Sequence, residues 1–137
     1  MQEHKIFVLR LAAALTALAI FPIAGFVAFD MWSGSRCAEE TTATGELDGA
    51  IAWRIARTDC AGGAPPFYDV SVGAAGRALG TAATSLGAPV PLEVRRLGAD
   101  RIGVSLDRPW RGETVVEIRL RRTGGPAERI DLTAPEP

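Results

Sequence analysis

The stretch from Leu11 to Phe29 holds 19 consecutive residues without a charged side chain, and it divides the chain between two solvents. At ~1.5 Å rise per residue, a helix of that length covers close to the ~30 Å hydrocarbon core of a bilayer. Nine of these residues are Leu, Ile, Phe or Val. At roughly −0.3 to −0.6 kcal/mol each, their insertion outweighs the handicaps of Thr16, Pro22 and Gly25. The pattern predicts a transmembrane helix over residues 11–31, with Leu15, Leu18, Phe21, Pro22 and Phe26 among its anchoring side chains and a slight kink at Pro22. Lys5 and Arg10 precede the span and Asp30 follows it, which sets residues 1–10 in the cytoplasm of a bacterial inner membrane and the remainder on the periplasmic side. Trp32 falls where an aromatic belt sits. The competing reading is a cleaved signal peptide, but Val27-Ala28-Phe29-Asp30-Met31-Trp32 is a poor small-x-small cleavage site and the apolar run exceeds the ~7–15 residues of a signal core. Lipid attachment at Cys37 fares no better, because Gly34-Ser35-Arg36 stands where small and apolar residues are needed.

An exported domain meets an oxidising compartment, where disulfides persist. Cys37 and Cys60 are the only cysteines. A bridge between them closes a loop of about 24 residues and contributes roughly 3 kcal/mol in the chain-entropy model. Two free thiols are the alternative. A metal pair would need more ligands than two sulfurs.

Beyond the anchor, residues 32–47 are small, polar and turn-rich and read as a linker. A β-domain is expected over 48–133, with a tail at 134–137. Ile51, Trp53 and Ile55 alternate with small or charged residues, and Tyr68, Val70 and Val72 with Asp69 and Ser71, which is the period of a half-buried strand. Residues 73–89 read as a long loop with one short strand. Leu92 and Val94 are assigned to one face of a further strand, and Leu97-Gly98-Ala99-Asp100 to a turn leading into Ile102, Val104 and Leu106. Thr114, Val116, Ile118 and Leu120 give the most regular alternation, and Arg129–Leu132 a short closing strand. With no amphipathic helix in this part, the expectation is a mostly β fold, an antiparallel meander closed into a small sandwich or partial barrel.

The chemistry the exported part lacks is informative. The chain's only histidine and only lysine, His4 and Lys5, lie before the anchor. Ser-His-Asp and Cys-His catalysis, His-based metal sites, Cys-x-x-Cys-His haem attachment and a Ser-Lys pair are therefore excluded. No phosphate-cradling P-loop or dinucleotide fingerprint occurs. No cofactor and no metal are expected, and catalysis would have to rest on carboxylates such as Asp59 with Asp69 or Asp100 with Asp107, which in β-turns act far more often as turn formers. From Met31 onward, 13 Arg face 14 carboxylates, so bulk charge gives no reason to expect nucleic acid. Two features are candidate interaction surfaces. Arg95, Arg96 and Arg101 flank one hairpin turn, and Arg119, Arg121 and Arg122 load the outward side of the most regular strand; Trp110 sits in a turn where it either anchors an interface or folds back over the core. The plainer reading of the arginines is cross-strand pairing with Glu93, Glu113 and Glu117.

Asp48-Gly49, Asp59-Cys60-Ala61-Gly62, Val70-Ser71-Val72 and Leu97-Gly98-Ala99-Asp100-Arg101-Ile102 together resemble uncharacterised proteobacterial membrane-anchored or lipid-anchored small β-domain proteins. The resemblance covers about half of the exported part. It departs before Asp48, where those proteins carry a Ser-Pro, and at Ala61 after the cysteine. It implies a fold and no activity.

These readings point to a single-pass, non-catalytic interaction protein: an accessory or assembly subunit that meets the lipid bilayer and other membrane proteins through its helix, with its β-domain on the periplasmic face. The alternative is a module binding an envelope ligand, lipid or polymer. A carboxylate-only hydrolase stands last.

Overall fold

The computed structural model describes residues 22–29 and 36–133, which fall into two units that divide at Arg36. Residues 22–29 are helical and expose Ile23, Phe26, Val27 and Phe29. Among the described residues no helix is long and apolar enough to cross a membrane. Pro22 and Phe26 lie on this helix, whereas Leu15, Leu18, Phe21, Trp32 and the tail from 134 lie outside the described residues.

The second unit is a two-sheet β-sandwich. One sheet has the order β1-β2-β3-β4-β8, formed by Cys37–Leu47, Ile51–Cys60, Phe67–Ala74, Gly80–Leu86 and Ile130–Asp131. The other has the order β5-β6-β7, formed by Pro91–Arg96, Arg101–Trp110 and Glu113–Arg119. Sequential neighbours within each sheet pair antiparallel, as a meander does, while β8 returns to lie parallel against β4. The passage from one sheet to the other runs through Gly87 and the Ala88–Pro89 bond, with Pro89 buried.

The period-2 alternation does what it predicts. Trp53, Ile55, Val70, Val72 and Ala83 from the first sheet meet Val94, Ile102, Val104, Leu106, Val116 and Ile118 from the second in one core, which Leu132 completes. Burying side chains such as these is worth ~1.5–3 kcal/mol each against exposure. The face assigned to Leu92 is corrected: the register slips between Pro91 and Glu93, so Pro91 and Val94 point inward and Leu92 is exposed. A bulge places two residues opposite one, which turns the next side chain to the other face.

The linker expected over 32–47 is also corrected. From Cys37 onward it is β1, an 11-residue edge strand paired along the whole length of β2. Asp48 and Gly49 both have positive φ, the backbone geometry that lets a tight turn match strand twist. Directly opposite Trp53 sits Gly45, where a Cβ would come within 2.7 Å of the indole. Only a glycine there lets the ring lie flat across β1, and the ring in turn covers a backbone without a side chain. Of residues 73–89, expected as a long loop with one short strand, Gly73 and Ala74 end β3, residues 80–86 form β4, and the rest connect strands.

Cys37 and Cys60 lie opposite each other in the β1–β2 register and form a disulfide. It joins the first residue of the sandwich to the last residue of β2.

Candidate functional site

Four connections meet at the end of the sandwich away from the disulfide: the β1–β2 turn, the β3–β4 turn, the β5–β6 turn and the segment leaving β7. Hydrogen bonds and close packing tie them together. The Ala75 N–H donates to the Ala50 carbonyl at 3.0 Å, and the Leu120 N–H to the Asp100 carbonyl at 2.6 Å. Arg96 crosses between the sheets: its guanidinium pairs with Asp48 of the β1–β2 turn and donates to the Gly98 and Ala99 carbonyls of its own turn at 3.1 and 3.0 Å. Gly124, with φ of 85°, brings the segment after β7 against Ala74, where a Cβ would stand 3.2 Å from the alanine Cβ.

These contacts enclose an open cleft of about 610 Å³. Its floor is apolar, with Ile51, Ala74 and Leu120; its rim carries Arg77, Arg96, Arg121 and Arg122 against a single lining carboxylate, Asp100. Arg77, Arg121 and Arg122 are exposed and form no ion pair among the described residues. Guanidiniums have rigid, forked donor sets that match phosphate and carboxylate oxygens. The arrangement can therefore hold an anion.

The candidates read from sequence divide among three places. Arg96 and Arg121 line the cleft. Arg95, Arg101 and Arg119 lie on the outer face of the smaller sheet, where Arg101 stands opposite Arg119 in register and reaches Glu117 at 3.4 Å. Of the pairing foreseen with Glu93, Glu113 and Glu117, the Arg101–Glu117 contact is formed. Trp110 sits at the far end of β6 and folds back: it packs against the core, donates from Nε1 to the Thr133 carbonyl at 2.8 Å and carries the Arg111 guanidinium 4.5 Å above its ring. It does not share a surface with Arg96.

The carboxylate pairs separate as well. Asp69 lies opposite Ala56 on the outer face of the larger sheet, whereas Asp59 pairs with Arg57, which faces the other way. Asp59 holds the Arg57 guanidinium above its ordinary pKa, chiefly through their hydrogen bond. Asp107 lies seven residues beyond Asp100 along β6, about 23 Å at ~3.3 Å per residue, too far for carboxylates that share one glycosidic bond. It instead accepts the Val90 N–H at 2.6 Å. Burial pushes the Asp69 carboxyl above the ordinary carboxylate range, with Glu39 adding to the rise and Arg129 and Arg54 opposing it. Among the described residues no group of three or more His, Cys, Asp or Glu side chains could hold a metal ion.

Arg77 was invisible as a site residue, because it stands alone in a Gly-rich stretch and only the β3–β4 turn brings it beside Arg121 and Arg122. Comparison of the chain with protein-family models, curated proteins and solved structures returned no match.

Proposed function

We propose that this protein is a tethered, exported interaction module: a single-pass inner-membrane protein whose β-sandwich works on the periplasmic face as an accessory or assembly subunit of a membrane complex. The observation that carries the reading is the Cys37–Cys60 disulfide at the first residue of the sandwich. Such a bridge persists in an oxidising compartment and is rare in the cytosol. The uncharged run from Leu11 to Phe29 supplies the tether, and its helical part at 22–29 exposes four large apolar side chains, as a lipid-facing helix does.

Gentle solubilisation of native membranes followed by native electrophoresis tests the role. The expected result is migration well above the mass of the single chain, with a defined membrane protein at fixed stoichiometry. Migration at the chain's own mass with no co-purifying partner would remove it. The arginine-rimmed cleft favours a second reading, an envelope ligand-binding module, on the ground that three of its guanidiniums lack ion-pair partners among the described residues.

A further inference from the structure

We infer that the distal cleft is a binding site for an organic phosphate, a small or polymer-borne molecule with a phosphate monoester on a carbon body. The inference deepens the ligand-binding reading and is independent of the tether. Three properties of the cleft point to this class. The first is charge: Arg77, Arg121 and Arg122 face only Asp100, since Arg96 is engaged by Asp48. A phosphate monoester brings about −1.5 to −2 at neutral pH with three acceptor oxygens, so one such group balances three arginines set against one carboxylate. A carboxylate brings one charge and accepts one fork.

The second property is volume. About 610 Å³ lies within the ~300–1,000 Å³ range of small-molecule sites and far exceeds the room one inorganic phosphate needs. The apolar floor of Ile51, Ala74 and Leu120 offers the remaining surface to a carbon skeleton. The third is preorganisation: the Ala75–Ala50 and Leu120–Asp100 hydrogen bonds and the Arg96 clip fix the rim, so binding has little backbone left to order.

A phosphate of this kind comes from a lipid headgroup or from a water-soluble or polymeric ester.

The test uses the full chain in detergent, titrated calorimetrically with glucose 6-phosphate at ~0.15 M salt, where exposed charges are screened beyond ~8 Å. Saturable one-to-one binding is expected, weakened at least tenfold when Arg77, Arg121 and Arg122 are all changed to Gln. The same change at Arg108, Arg111 and Arg129 should leave it within twofold. Equal loss in both variants, or citrate binding as tightly as the sugar phosphate, would overturn the site, as would the absence of saturable binding. An unchanged melting temperature of the Arg77, Arg121 and Arg122 variant shows that any loss is local. Chain reconstituted in neutral vesicles and in vesicles containing phosphatidylglycerol supplies the other arm: competition by the anionic vesicles alone would assign the headgroup source and overturn the soluble one.

Discussion

The two ends of the sandwich solve the problem of closing a small β-fold in opposite ways. One is closed covalently, by Cys37–Cys60, with Trp110 folded back at the far end of β6. The other is closed by turns that hydrogen-bond to one another, and it leaves a charged hollow. The first contributes stability mainly by restricting the unfolded chain. The second holds like charges together in the folded state, which stabilises nothing and makes sense as a surface for something else.

The largest way to break this contrast is at the covalent end. Changing both Cys37 and Cys60 to Ser should cost roughly 3 kcal/mol and lower the melting temperature by on the order of 15 °C, measured by calorimetry; neutralising the three cleft arginines should shift it by less than about 1 °C. Equal losses would show that the arginines are structural. Trp110→Ala comes next, at about 2 kcal/mol for the lost packing and indole hydrogen bond, read from denaturant midpoints. Arg96→Met sharpens the contrast from the cleft side. It removes a clip between two turns, costs about 1 kcal/mol, and should speed amide hydrogen exchange at Gly98 and Ala99 while leaving the β1–β2 amides near Cys60 unchanged.

The smallest effect concerns neither end. Burial raises the Asp69 pKa in the folded state, so the native chain binds a proton more readily than the unfolded one. Stability then falls as pH rises from the ordinary carboxylate value through the raised one. Asp69→Asn should therefore raise the melting temperature slightly at neutral pH and by nothing once the carboxyl is protonated in both states, as thermal scans across pH would show.

Strands β2, β3, β6 and β7 were legible because each buries one face, and the alternation of Ile51-x-Trp53-x-Ile55 or Val116-x-Ile118 records it directly. The strand β1 was not, because an edge strand of Glu, Thr and Ala exposes most of its side chains and carries no apolar period. The Asp48-Gly49 pair did hold the missing signal, since such a pair with positive φ joins two strands and implies one before it. The disulfide followed from compartment and count. The cleft was only half legible: Arg96 and Arg121 stood out as members of charged clusters, but sequence cannot show that the turn holding Arg77 comes to rest beside them, because that juxtaposition depends on the sheet order and on Gly124 meeting Ala74.

The central claim is that the disulfide-closed sandwich is held outside the cytoplasm by the apolar run before it. Alkaline phosphatase fused after Pro137, expressed in a Gram-negative bacterium and assayed in membranes washed with alkaline carbonate, tests it most directly. Strong phosphatase activity retained in the washed membranes is the predicted result. Inactive enzyme, alongside a fluorescent green-protein fusion at the same position, would place the sandwich in the cytoplasm and contradict the account.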